Sequence, residues 1–280
     1  MTSASSAERK TLVLVHGAWH GSWCWERLLP HLAERGLAVR TVDLPSVLRG
    51  AERDARGGRR GDRRLDLRDD ADAVRGVIES IDGPVVLCGH SYGGMVISLA
   101  ASRSSAGAAR SAEAPSAASA ASAAVATARS AESRVARLIY LCAFVPEPNQ
   151  SLVAIGDNQP APWIRMLDEE MTLPDLSLAG EVLYNDCDAA TREWAIARLA
   201  PQFNAAFITP VARPAWREIP STYVVCARDG AIPPDLQRTV FASRTERSIE
   251  LDAGHSPFLS QPAALAQALA QELARDTASR

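Results

Sequence analysis

Four runs of this chain are apolar at almost every position: Thr11–Val15, Val85–Cys88, Leu138–Ala143 and Thr222–Ala227. A strand with one solvated face alternates apolar with polar residues, so unbroken β-prone runs predict strands covered on both faces of a parallel sheet. Ala38–Asp43 and Arg247–Leu251 read as two further strands. Between the strands the period changes. Trp23 to Arg35 has helical spacing and closes at Gly36, and apolar residues at Leu67, Ala71, Val74, Ile78 and Ile81 mark a second helix that Gly83-Pro84 ends. Met95 onward and Pro262 to Arg275 read as helices as well. Strands alternating with helices predict an α/β fold: a mostly parallel central sheet with helices on both faces.

Three stretches interrupt that alternation. Arg49 to Arg64 holds seven arginines, four glycines and three acids, with so little to bury that a solvated loop is expected rather than an anion site. In Ser104 to Ser133, 22 of 30 residues are alanine or serine, and no apolar stripe is present with which to dock, so residues 104–133 read as a disordered or partly helical surface insertion. Pro146 to Pro220 carries scattered large apolar residues among prolines and acids. Residues 1–145 and 221–280 are therefore expected to form one core, and residues 146–220 a mainly helical cap over its active site.

Composition narrows the class. A chain of 280 residues with 47% hydrophobic content buries a large core, and a net charge of −3 gives no reason to expect nucleic acid or an anionic membrane as a partner. Five cysteines, an odd number without CxxC or metal-ligand spacing, suit a reducing compartment. Met1 to Lys10 lacks the apolar segment of a signal peptide, and Leu138 to Val145 is too short to span a bilayer, so the expectation is a cytoplasmic protein. A homodimer is left open.

The chemistry gathers at strand ends. Val85–Cys88 runs straight into Gly89-His90-Ser91-Tyr92-Gly93, and a helix follows. A serine at such a strand-to-helix corner is presented above the sheet, and the glycines leave the corner room to close. Ser91 is the candidate nucleophile, and the Tyr92 amide, at a helix N-terminus, is a candidate donor to a developing oxyanion. After Thr11–Val15 comes His16-Gly17-Ala18-Trp19-His20-Gly21, where the Ala18 amide can point at the same oxyanion. His20 reads as a hydrogen-bonded structural histidine, because a better base lies downstream. A serine needs that base, and the base needs an orienting acid. Asp229 follows a core strand and His255 follows the last one, which gives the order Ser91, Asp229, His255. Asp252 is the rival acid, but three residues before His255 it is better placed to cap the loop.

The passages HGAWHGSWCW, GHSYGGMV, CARDGAIPPDLQ and DAGHSPFLSQP resemble those of the α/β-hydrolase superfamily, in the branch of plant methylesterases, hydroxynitrile lyases and bacterial carboxylesterases and pyrethroid-hydrolase-like enzymes. The similarity runs from Thr11 to Leu273. It implies an α/β-hydrolase fold and a Ser91–His255–Asp229 triad with the Ala18 and Tyr92 amides as oxyanion hole. The implied reaction is ester hydrolysis through an acyl-enzyme, with no metal or organic cofactor. Lyase members carry a lysine immediately after the catalytic histidine; here Ser256 stands there, and Lys10 is the only lysine. Two other readings stay open: a ligand sensor that keeps the triad with little turnover, and a thioesterase or cyclase on the same fold.

The expected substrate is a small neutral ester. Trp19 and Trp23 beside the oxyanion loop, and Trp163, Met166, Trp194, Phe203 and Phe207 from the cap, supply apolar walls. Neither His16 to Cys24 nor Gly89 to Gly94 contains an arginine or lysine to pair with an anionic group.

Overall fold

The structure, a computed structural model, describes residues 10–48, 59–60, 63–102, 134–156, 161–168 and 170–275. Most of the arginine-rich stretch and all of the alanine/serine tract, residues 104–133, lie outside the described residues.

Six strands form the central sheet: β1 (Thr11–Val15), β2 (Ala38–Val42), β3 (Val85–His90), β4 (Val135–Leu141), β5 (Ser221–Cys226) and β6 (Arg247–Leu251). Their spatial order is β6-β5-β4-β3-β1-β2, and every pairing is parallel. The continuous apolar runs are explained by two cores. Val13, Val15, Val85 and Leu87 face one cluster, while Leu12, Leu14, Val86 and Cys88 face the other. Burying each such side chain contributes about 1.5–3 kcal/mol, so residues of both parities must be apolar. From β1 the chain moves outward to β2 and then crosses back to β3 on the other side of β1. At that switch point the loops after β1 and β3 diverge, and the crevice between them is where open α/β sheets bind ligands.

The helix expected over 23–35 is two pieces, a 3₁₀ turn at Ser22–Trp25 and α1 at Leu29–Glu34. Pro30 is the cause: it lacks the N–H a helix interior needs and so sits in the first turn of α1. Helix α2 (Leu67–Glu79) starts at Asp66, whose carboxylate accepts from Arg68 N–H, while Asp69 reaches back to the Asp66 amide in a capping box. It buries Leu67, Ala71, Val74 and Ile78 beside α3 (Gly93–Ala100), which follows the corner at Ser91.

In the chain between β4 and β5 more residues lie in helices than in strands, chiefly in α4 (Leu176–Val182) and α5 (Ala189–Ile196), and the segment also holds a small antiparallel sheet in which Met171–Pro174 lies between Ile164–Met166 and Gln202–Phe203. Asp168 makes the hairpin: its Oδ1 accepts from the amides of Glu170 and Met171, an Asx turn that reverses the chain. The closing helix, α6 (Pro262–Ala274), packs on the second core cluster. Among the described residues no helix is long and apolar enough to cross a membrane.

Candidate active site

The corner between β3 and α3 is close-packed. Ser91 sits at φ 53°, a left-handed conformation that costs a non-glycine residue energy and projects its side chain out of the strand direction. A Cβ on Gly89 would lie 2.5 Å from the Gly93 carbonyl oxygen, and one on Gly93 would lie 2.6 Å from that of Val15. Both glycines are therefore required by close approach of backbone to backbone. The Ser91 carbonyl is itself held by the amides of Gly94 and Phe144, at 3.0 and 3.2 Å.

His255 and Asp229 meet across the ends of β6 and β5. Asp229 Oδ2 lies 2.8 Å from His255 Nδ1, with both side chains buried. The same carboxylate accepts from the amides of Ala231 and Ile232 on Oδ1 and from Gln237 Nε2 on Oδ2. Four donors around one buried carboxylate fix its plane. Asp252, the rival, points to solvent with 82% of its side chain exposed and pairs with Arg228. Behind the imidazole, His90 Nε2–H donates to the His255 carbonyl at 2.8 Å. Burial, with His255 and His20 nearby, holds His90 well below the usual histidine pKa, so it serves as a neutral donor. The cap holds the same loop from the other side, through Asp186 Oδ2 and the Gly254 amide at 2.7 Å.

The loop after β1 is fixed around Ala18. His20 Nδ1–H donates to the Ala18 carbonyl at 2.7 Å, and its Nε2 accepts from the Tyr184 hydroxyl of the cap at 2.7 Å. Both ring nitrogens are thus occupied, as a structural histidine requires. The following amide, Trp19 N–H, donates to Gln202 Oε1. No hydrogen bond from the Ala18 or Tyr92 amide is seen among the described residues.

Ala18, Ser91, Tyr92 and His255 line one cavity of about 570 Å³. Of the expected wall residues, Trp19, Trp163, Met166 and Phe207 line it, and Met166 stands half exposed at its edge. Trp23, Trp194 and Phe203 do not. Trp23 stacks on the far side of His20 and packs edge-on against Trp194, whose ring is covered by the Arg198 guanidinium. Phe203 is consumed by a satellite core with Leu48, Leu65 and Met171. The rest of the wall is mostly apolar, with Phe144, Leu152, Val153 and Ile232, and includes the polar Thr172 and Asn204. Phe144 and Ile232 follow core strands just as Ser91 does, and that placement was the available signal. Arg165 and Arg213 turn outward to Asp175 and Glu218.

One group among the described residues has metal-ligating atoms close together: His90, Cys142 and His255, all buried and within 4.8 Å of one another. It does not suit a metal. His255 Nδ1 is committed to Asp229, and burial raises the Cys142 thiol well above its usual pKa, whereas a ligand must be a thiolate.

Residues 12–268 match the alpha/beta hydrolase family. The carbendazim hydrolyzing esterase of a Nocardioides species is 28% identical over 92% of this chain and 97% of its own length. Polyneuridine aldehyde esterase of Rauvolfia serpentina is 24% identical over 93% and 94%. Among solved structures, polyneuridine aldehyde esterase superposes with a TM-score of 0.70 at 22% identity, covering 95% of this chain and 99% of that one. A pyrethroid hydrolase from Sphingobium faniae gives 0.69 at 24% identity, covering 94% and 97%.

Proposed function

This chain belongs to the alpha/beta hydrolase family, and on that premise we propose that it hydrolyses small, neutral, apolar or aromatic carboxylic esters through Ser91, His255 and Asp229. One observation carries the reading: the imidazole that Asp229 holds by Nδ1 lines, together with Ser91, a single apolar cavity. With Nδ1 committed, Nε2 is the nitrogen left to take the serine proton. The relatives named as esterases support this reaction class.

The steps follow from the groups present. His255 Nε2 removes the Ser91 Oγ proton as the oxygen attacks the ester carbonyl, and Asp229 stabilises the imidazolium. The carbonyl oxygen becomes an oxyanion that accepts from the Ala18 and Tyr92 amides. When the carbon–oxygen bond to the alcohol breaks, His255 returns the proton to the leaving oxygen and an ester on Ser91 remains. Water repeats the sequence and releases the acid. The apolar walls, and the outward turn of Arg165 and Arg213, favour uncharged acyl and alcohol groups.

Steady-state hydrolysis of p-nitrophenyl acetate and butyrate tests the reading. Many turnovers per protein molecule are expected. Release of one equivalent followed by silence would indicate a sensor in place of an enzyme.

A further inference from the structure

A buried chain of hydrogen bonds joins the two loops that carry the Ala18 and Tyr92 amides. Trp19 N–H donates to Gln202 Oε1 at 2.9 Å. Gln202 Nε2 donates to Ser46 Oγ at 2.8 Å, and Ser46 Oγ donates to Asp70 Oδ2 at 2.6 Å. The Tyr92 hydroxyl donates to that same oxygen at 2.6 Å, and the Ser46 amide donates to Oδ1 at 2.9 Å. Gln202, Ser46, Asp70 and Tyr92 are all fully buried.

The direction of every link is determined. An ionised carboxylate only accepts, so both hydroxyls donate to Asp70. The Ser46 oxygen, its proton spent, accepts from the Gln202 amide, and this turns Oε1 toward Trp19. Trp19 needs such a hold because it sits at φ 61°, a region sparsely populated by residues other than glycine. Its peptide plane is gripped on both sides, by Gln202 at the N–H and by His20 at the Ala18 carbonyl.

A core built for stability alone would not choose these residues. Asp70 has no cation paired with it among the described residues, and burial of a carboxylate without one is costly. That cost is visible in its pKa, which burial pushes up to about 6 against the opposing effect of the Ser46 and Tyr92 hydroxyls. A phenylalanine at 92 and an aliphatic residue at 70 would fill the space without the charge.

We propose that Asp70, Ser46 and Gln202 are positioning residues that lock the Ala18 and Tyr92 amides at a fixed separation, so that both meet one oxyanion. The inference rests on the proposed role of those amides at Ser91. Oxyanion donors act only over about 2.7–3.1 Å, and displacement by about 1 Å can cost on the order of a hundredfold in rate. Donors on two separate loops therefore need a common reference, and the chain of bonds supplies it.

Ser46→Ala is the decisive variant, because Ser46 touches neither amide nor cavity. Tyr92→Phe cuts the chain at its other end by removing a single oxygen. Each is assayed for kcat and KM with p-nitrophenyl butyrate and for affinity toward an aryl trifluoromethyl ketone, whose serine adduct carries an oxyanion in the same place. In each variant kcat should fall about tenfold and ketone affinity in the same proportion, with KM within about twofold of wild type. Their double variant should lose less than the product of the two single losses, because the links act through one chain. The proposal is overturned if kcat and ketone affinity stay within about twofold in both variants, if KM rises while kcat holds, or if the two losses multiply. Should Ser46→Ala fail to fold, Tyr92→Phe decides. Ser91→Ala runs in parallel: retained turnover there would refute the esterase reading itself, separately from the positioning chain.

Discussion

Asp229 Oδ2 lies 2.8 Å from His255 Nδ1 in a site closed to solvent, while Asp252, three residues before the histidine, extends into water beside Arg228. The two carboxylates should therefore respond differently to the same change. In Asp229→Asn the amide faces donors from Gln237 and His255 with one acceptor fewer, which reverses the imidazole tautomer and puts a proton on Nε2. A loss on the order of 10³–10⁴-fold in kcat is expected, against less than about twofold for Asp252→Asn. Ester turnover of the two variants side by side checks the assignment, and the opposite ranking would reverse it.

Gly17 tests how closely the two strand-end loops must approach. A Cβ there would lie 2.8 Å from His90 Nδ1 and 2.9 Å from Ser91 Cβ. His90 cannot retreat without releasing the His255 carbonyl. Gly17→Ala should lower kcat by about tenfold or more while the protein still folds, as kinetics and circular dichroism together would show.

Asp70 makes stability depend on pH. Its folded pKa of about 6 lies above the 3.8 usual for an aspartate, with burial as the main cause and Asp69 adding to it. The folded protein thus binds this proton more tightly than the unfolded chain. The contribution is full below about pH 4 and is lost as pH rises through 6, a change on the order of 3 kcal/mol. Asn stays neutral. The stability of wild type relative to Asp70→Asn, from urea unfolding at pH 4.5 and 7.5, should therefore be smaller at the higher pH, and a gap that does not move would place the Asp70 pKa elsewhere.

Cavity size sets the acyl preference. Each buried methylene adds about 0.8 kcal/mol, or roughly fourfold in kcat/KM, until the walls are met. Across p-nitrophenyl esters, activity should rise with chain length and then fall. Trp163 packs edge-on against Trp19 in the wall, so Trp163→Ala should move the optimum to longer chains. An unchanged optimum would mean that Trp163 does not limit the acyl group.

The core was legible because its signals are local. Unbroken apolar runs gave the doubly covered strands, and three short motifs at strand ends singled out Ser91, Asp229 and His255, of which Asp229 pairs with His255 and His255 shares a cavity with Ser91. The break before α1 was also written in the chain, at Pro30, but helical spacing on both sides masked it. The cavity wall was harder to read. Large aromatic residues suit a subdomain core as well as a pocket, and only packing separates Trp163 from Trp194 and Phe203. Least legible was the path from Trp19 to Tyr92, whose links join residues 183, 156, 24 and 22 positions apart. No periodicity connects such positions, and they meet only because the sheet order and the cap bring them together.

In the proposed mechanism Ser91 carries the acyl group. Incubation of wild-type protein and Ser91→Ala with an aryl fluorophosphonate, followed by peptide mass spectrometry, tests it alongside p-nitrophenyl butyrate turnover. One phosphonyl group on the peptide containing Ser91 is expected in the wild type, with labelling absent and turnover reduced by on the order of a thousandfold or more in Ser91→Ala. Turnover near the wild-type rate in Ser91→Ala, or a label on another residue, would rule out Ser91 as the nucleophile.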